Sequence, residues 1–139
     1  MEEVYDSPRD WVARHIQDYI ASDGKGRGAR RRLLLTTRGR RTGKLRRTAL
    51  YFWVDGDDYV VVGSDGGSAH HPAWYLNLSA DPHVTVEVGG DRFEATARTA
   101  TATERPRLWA LVVAHLSSYE TFQERTRREI PVVVLAPGR

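Results

Sequence analysis

LLLTTRGRRTGKLRRTALYFWVDGDDYVVV, running from Leu33 to Val62, decides the fold. Three runs rich in β-branched, leucine or aromatic residues, Leu33–Thr37, Leu45–Val54 and Tyr59–Val62, read as strands. Between the last two stands Asp55-Gly56-Asp57, a hairpin signal because Asp-Gly readily supplies the positive φ of a tight turn. A parallel pair needs a crossover of a dozen or more residues, and neither gap is that long, so the three runs pair antiparallel. The sheet therefore begins as a meander.

The first turn carries an unusual charge. Arg38, Arg40, Arg41, Lys44, Arg46 and Arg47 crowd into it with no acid among them. Like charges this close repel and destabilise the folded chain unless something negative sits nearby. Gly39 and Gly43 let the backbone turn and bring N–H groups toward a ligand, as in anion-binding nests, and arginine adds bidentate contacts to phosphate or carboxylate. On spacing alone, a solvated basic hairpin would look the same.

Upstream, Ser7-Pro8 with Asp10 reads as a helix start, Val12, Ile16, Tyr19 and Ile20 recur at helical spacing, and Gly24 ends the pattern. Residues 1–24 are thus an N-terminal amphipathic helix, packed on the core or, given Trp11 and the polar face beside it, in weak contact with a membrane surface. Residues 25–139 follow as the barrel, within a single domain overall. Downstream of Val62, "GSDGGSAHHP" is a loop and "PAWYLNLSADP" a short helix between prolines. Val84, Val86 and Val88 alternate with polar residues, Gly89-Gly90-Asp91 turns the chain, and Phe93–Thr101 returns it. Thr103 caps a helix bearing Leu108, Trp109, Leu111, Val112 and Leu116; "YETFQERT" follows, and Ile130–Leu135 is the last strand. The class is mainly β with helices (α+β): a small barrel of about six antiparallel strands with an N-terminal helix and inserted helices, since closing the sheet hides its edges.

A chain of 139 residues suits one core, and the hydrophobic and charged fractions, 40% and 28%, are those of an ordinary globular protein. Eleven Lys or Arg residues and no acid lie between Lys25 and Arg47, which leaves the remainder net acidic despite a formal charge of +3. Such a basic face implies a polyanionic partner: nucleic acid, an anionic membrane or a phosphorylated small molecule. There is no cysteine, hence no thiolate nucleophile and no cysteine-ligated metal. The acidic N-terminus, MEEVYDSPRD, is no signal peptide, and no apolar run approaches a membrane span, so a cytoplasmic protein is expected.

No self-sufficient catalytic set is present: no Gly-x-Ser-x-Gly, no His-Glu-x-x-His and no phosphate loop. His70 and His71 read as a solvated loop pair, His15, His83 and His115 as isolated surface or capping residues, and no metal is expected. Any redox chemistry must come from a bound cofactor. The cluster Gly63-Ser64-Asp65-Gly66-Gly67-Ser68 is either ordinary turn chemistry or a backbone lying close against a flat ligand, with Ser64 able to hydrogen-bond. Trp74, Tyr75 and Asn77 could close over that place, or Trp74 could belong to the core.

Three segments in order, "TTRGRRTGKLRRTALYFW", "VVVGSDGGSAHHPAWYLNLSADP" and "SSYETFQERTRREIPVVVL", closely resemble the deazaflavin-dependent nitroreductase family. The resemblance runs from about Leu33 to Pro137, and its most specific parts are the Gly-Arg-basic-Thr-Gly turn and the Pro-x-Trp-Tyr-Leu-Asn-Leu helix before Asp-Pro. It implies a split β-barrel of the flavin-reductase type and the coenzyme F420, an 8-hydroxy-5-deazaflavin whose phosphodiester and poly-glutamate tail would answer the arginines. It further implies that Arg40, Arg41, Thr42 and Gly43 in the turn, with Arg46, Arg47, Thr48, Ala49 and Leu50 on the strand, contact phosphate and tail or border them. Tyr51, Val62, Gly63, Ser64 and Asp65 would border the ring, Ala73, Trp74, Tyr75, Leu76 and Asn77 would close on it, and Tyr119 would face the substrate. Asp65 stands where the family has a basic residue, Arg41 where it has lysine, and Leu116 and Phe122 where tyrosines line the substrate pocket.

The resulting expectation is an F420H2-dependent oxidoreductase that passes a hydride to a quinone or another electron-poor ring, with nitroaromatic reduction as a side activity. The accompanying proton would come from solvent, Ser64 or Tyr119, and the protein would be a monomer or dimer. Two alternatives stand beside it. One is the same barrel with flavin mononucleotide (FMN), whose single phosphate needs fewer arginines. The other is a basic nucleic-acid-binding module without activity, weakened because Tyr51, Trp53, Trp74 and Tyr75 lie in apolar runs rather than among the arginines; no nucleic acid is expected.

Overall fold

Unbroken triplets such as Leu33-Leu34-Leu35, Val60-Val61-Val62 and Val132-Val133-Val134 imply strands covered on both faces, since a half-solvated strand would alternate with polar residues. The computed structural model, which describes residues 2–21 and 32–138, has that arrangement. In chain order the elements are β1 (Val4–Asp6), α1 (Asp10–Ala21), β2 (Arg32–Arg38), β3 (Leu45–Tyr51), β4 (Trp53–Asp55), β5 (Asp58–Val62), α2 (Ala73–Ala80), β6 (His83–Val88), β7 (Asp91–Thr99), α3 (Arg105–His115), α4 (Ser118–Glu124) and β8 (Val132–Pro137). All eight strands join one sheet in the order β1-β3-β2-β6-β7-β8-β5-β4, antiparallel throughout except for β1 beside β3. The architecture is mixed α+β.

The triplets divide between two sides. Leu33, Leu35, Val61, Val133 and Leu135 point into an inner core with Leu78, Val84 and Val86. Val60, Val62, Val132 and Val134 pack outward under α3 and α4 against Leu108, Val112, Tyr119 and Ile130. Leu34 packs outward under α1 against Val12 and Ile16. Each fully buried Leu, Ile or Val contributes on the order of 1.5–3 kcal/mol, so both faces of the central strands hold the fold together.

Four sequence expectations change. There are eight strands rather than about six. The strand expected over Leu45–Val54 breaks at Phe52, where the chain leaves β2 and begins to pair with β5 as β4. β1 went unread because three residues carry no period. The N-terminal helix starts at Asp10 rather than beside Ser7, whose Oγ accepts only a long 3.4 Å bond from the Arg9 N–H. Thr101, not Thr103, caps the chain into α3: the Thr101 N–H donates to Glu104 at 2.9 Å and the Glu104 N–H to Thr101 Oγ1 at 3.2 Å, a reciprocal capping box. The Gly24 stop, the arginine-rich link up to Arg31 and the side chains of Trp11, His15 and Tyr19 lie outside the described residues.

Candidate functional site

β3 lies beside β5, yet no ladder joins them among the described strands. Along this seam runs a cleft of about 920 Å³, lined by the β2–β3 turn, β3, the end of β5, the loop after it, α2, α4 and the segment Ser7–Val12. That volume is at the upper end of ordinary ligand sites. Among the described residues no helix is long and apolar enough to cross a membrane.

The basic mouth is built by the β2–β3 turn. The Gly39 N–H donates to Lys44 O and the Gly43 N–H to Gly39 O, both at 2.8 Å, and Gly43 has φ +73°, a conformation that disfavours any side chain. Asn77, buried on α2, clips the turn in place: its Oδ1 accepts from the Arg40 backbone N–H and from Arg40 Nη1, both at 3.2 Å, and its Nδ2 donates to Thr37 Oγ1. The acidic N-terminal arm neutralises part of the cluster. Glu2 pairs with Arg38, Asp6 with Arg47 at 2.6 Å, and the Tyr5 ring lies under Arg46 and Lys44 at 5.3 and 5.0 Å. Arg41 is exposed on the cleft and has no partner among the described residues. The chain thus answers some of its own charge and leaves Arg41 unanswered on the cleft.

The other end is aromatic. The Tyr51 hydroxyl accepts from Arg32 at 2.8 Å, with the guanidinium 4.6 Å over the ring. Tyr119, buried on α4, meets Trp53 and Phe122 edge to face at 5.6 and 5.4 Å. Burial pushes its phenol up to about 12, with nearby Tyr51 adding to the shift, so it keeps its proton at neutral pH.

Between the two ends lies the loop from Gly63 to Pro72. Asp65 takes φ +44° without being glycine, and Gly66 and Gly67 follow at +66° and +84°. A residue forced into the left-handed region implies that its surroundings fix it. Asp65 is held by Arg9 of the arm at 2.6 Å, so the arm neutralises the one carboxylate on this loop. Arg128 secures the loop from beneath, donating to the carbonyls of Gly63, Ser64 and Ser68 at 3.1, 2.8 and 2.9 Å. Ser64 is buried at the cleft wall.

Of the residues singled out from sequence, Arg40, Arg41, Thr42, Arg46, Arg47, Thr48, Ala49, Leu50, Tyr51, Val62, Ser64, Asp65, Ala73, Trp74, Asn77 and Tyr119 all line this one cleft. Gly43, Gly63, Tyr75 and Leu76 do not. Gly63 is small because a Cβ there would sit 2.8 Å from Pro131 Cγ, and Tyr75 spends its hydroxyl on Thr99 at 2.8 Å. Trp74 does both things the sequence allowed, lining the cleft while packing on the inner core. Phe122 lines the cleft, whereas Leu116 packs into the outer core instead. The pairing of His70 and His71 as solvated residues fails for His71, which is half-buried, meets the Tyr75 ring at 4.9 Å with a 54° tilt and lines the cleft. Arg9, Arg32 and Thr37 also reach the cleft without having been singled out. The acidity of the arm points to Glu2 and Asp6 as partners of the basic turn, but no local signal pointed to Arg9, whose partner Asp65 lies 56 positions away.

A cleft with cationic and aromatic ends takes an elongated ligand, anionic at one end and flat at the other. The comparisons agree with that chemistry. Residues 11–137 match the family model described as F420H(2)-dependent quinone reductase. The chain is 39% identical over 141 residues to an F420H(2)-dependent quinone reductase of Mycobacterium tuberculosis, covering 90% of this chain and 95% of that protein. Among solved structures it resembles an F420-H2 dependent reductase (TM-score 0.70, 36% identity, covering 76% and 94% of the two chains). It also resembles a protein described as a domain-swapped dimer (TM-score 0.72, 34% identity, covering 93% and 99%).

Proposed function

The chain belongs to the F420H(2)-dependent quinone reductase family, and from that premise we propose which of its residues hold the coenzyme and serve the reaction. It is an oxidoreductase whose cofactor is F420 and whose acceptor is a quinone. The observation that carries the assignment is a single cleft joining an unpartnered Arg41 and the turn around it to the buried phenol of Tyr119. The donor set fits the group: guanidinium and hydroxyl donors at Arg41, Arg46 and Thr42 suit a phosphodiester and carboxylate tail, and a wall of Leu50, Val62 and Trp74 suits a flat ring. FMN and nucleic acid are both disfavoured by the family, and a mononucleotide would leave much of the basic mouth unused.

When bound, the reduced coenzyme supplies a hydride. The chain's own work is to bind, orient and keep water out. Arg41 and Arg46 hold the charged end, Ser64 and the loop around it align the ring edge, and Ala73 and Trp74 cover it. Reducing a quinone to its hydroquinone takes one hydride and one proton. We assign that proton to the Tyr119 phenol, which burial keeps protonated at neutral pH. Nitroaromatic reduction is a side activity of the same hydride donor. The neighbour's domain-swapped assembly supports a dimer here as well.

The test is a fluorescence titration of the protein with F420 and with FMN. F420 binds the parent, FMN binds far more weakly, and Arg41→Ala and Arg46→Ala each lose about 1–3 kcal/mol of F420 affinity, as expected for a charge-assisted contact. Equal F420 binding by the parent and both variants would sink the anion-site assignment.

A further inference from the structure

Arg128 makes a fourth contact beyond the three loop carbonyls: its Nη1 lies 3.0 Å from His71 Nδ1. A guanidinium has no lone pair and no accessible deprotonated form, so it can only donate. Nδ1 of His71 must therefore be the acceptor, which leaves the imidazole neutral and its one proton on Nε2. The three carbonyl bonds of Arg128 fix the guanidinium, so it cannot turn away to release another tautomer. The imidazole is held in turn by tilted ring contact with Tyr75 and by its place beside Pro72 at the start of α2. Nε2 has no partner among the described residues, and the ring lines the cleft with Ser64, Asp65 and Trp74.

We infer that His71 is an uncharged Nε2–H donor to an acceptor oxygen of the ligand in the cleft, with Arg128 as the positioning residue that sets its tautomer. This rests on the proposed function for the identity of that ligand. The charges around the ring agree with the geometry. Burial and then the Arg128 charge hold His71 below the ordinary histidine range, the Asp65 carboxylate is taken up by Arg9, and no acid is bonded to the ring. The arrangement gives the site a directional donor without adding a cation beside the ring. That suits a ligand whose negative charge is already met at the Arg41 end.

Two measurements test it. Long-range ¹H–¹⁵N spectra of the unliganded protein at neutral pH are expected to show His71 neutral and protonated at Nε2, and Arg128→Met, which removes the donor facing Nδ1, is expected to restore a mixture of tautomers. A charged His71, or one protonated at Nδ1, would overturn the inference whatever the coenzyme does. The second measurement is F420 affinity in three variants. A glutamine amide reaches the place of Nε2, an asparagine amide only that of Nδ1, and phenylalanine keeps the ring without a donor. His71→Gln should bind within about threefold of the parent, and His71→Asn and His71→Phe about tenfold more weakly, the loss expected of one hydrogen bond. If all three bind like the parent, His71 donates nothing. A parent that binds no F420 would instead overturn the proposed function, and the spectra of the free protein keep the two failures apart.

Discussion

Gly66 and Gly67 adjoin in the loop over the cleft, both at positive φ, yet they are constrained by different things. Nothing lies within 4 Å of a Cβ built on Gly66, whereas on Gly67 it would stand 2.6 Å from Phe122 O and 3.0 Å from Arg125 Cβ. Gly66→Ala should therefore cost only its left-handed strain, about 1–2 kcal/mol. Gly67→Ala must also push the loop off α4, and should lose clearly more stability and weaken F420 binding with it. Thermal melts of the two variants compare them directly, and equal losses would mean that the loop does not rest on α4. Phe122 lines the cleft beside Tyr119. Its ring presents no donor, and Tyr119 beside it supplies the phenol. Apolar pockets reward apolar area and discriminate polar groups poorly, while a site with a placed donor discriminates strongly. Lipophilic quinones should then outrun nitroimidazoles, and Phe122→Tyr should raise kcat/KM for a nitro compound more than for a quinone. An unchanged ratio of the two would show that residue 122 does not set acceptor choice.

Elements that depend on near neighbours were legible in the sequence, and those that depend on distant ones were not. The β4–β5 hairpin follows from Asp55-Gly56 and the β2–β3 hairpin from two apolar runs around glycines, because turn chemistry is local. β1 exists only because β3 offers it a free edge and Arg47 offers Asp6 a partner 41 positions away. The grip of Arg128 on the loop spans 60 to 65 positions and left no mark in "RTRREIP", so the role of His71 stayed hidden. The basic turn stood out because its repulsion is local, and the residues answering it did not. The entry to α3 is a case where a local rule gives a pH prediction. Pairing with Arg98 and the Thr101 N–H hold the Glu104 carboxyl down at about 2, from 4.5. A carboxylate whose folded value is depressed adds stability above its unfolded value and loses it as pH falls. The contribution of Glu104 should therefore be complete above about pH 4.5 and gone once pH has fallen through about 2. Glu104→Gln should be less stable than the parent at neutral pH, with the gap closing across that window in acid unfolding curves. A gap that stays constant with pH would mean that the carboxylate charge is not what stabilises the cap.

Across the whole molecule, β3 lies beside β5 although the ladder joins them the other way round through five pairings, so the cleft is walled by the two halves of the sheet, α2, α4 and the arm. A ligand touching all of these should stabilise the fold as a unit, because unfolding any wall releases it. At a free concentration about 100 times Kd the gain is about 2.7 kcal/mol. For a chain of 139 residues, between the two size classes for which the dependence is known, 1 kcal/mol moves Tm by roughly 4 °C. Saturating F420 should thus raise Tm by about 10 °C in one cooperative transition. Part of that gain comes from charges at the exposed mouth, where Arg41 and Arg46 sit in solvent, and the Debye length falls from about 10 Å at 0.1 M salt to about 3 Å at 1 M. At a fixed F420 concentration the Tm shift should shrink as salt rises, and Arg41→Ala should show a smaller shift that depends less on salt. FMN, with one phosphate, should move Tm little at either salt concentration. If the shift with F420 is large but the same in low and high salt, the coenzyme is held by the aromatic end alone and the basic turn serves only the protein's own acidic arm.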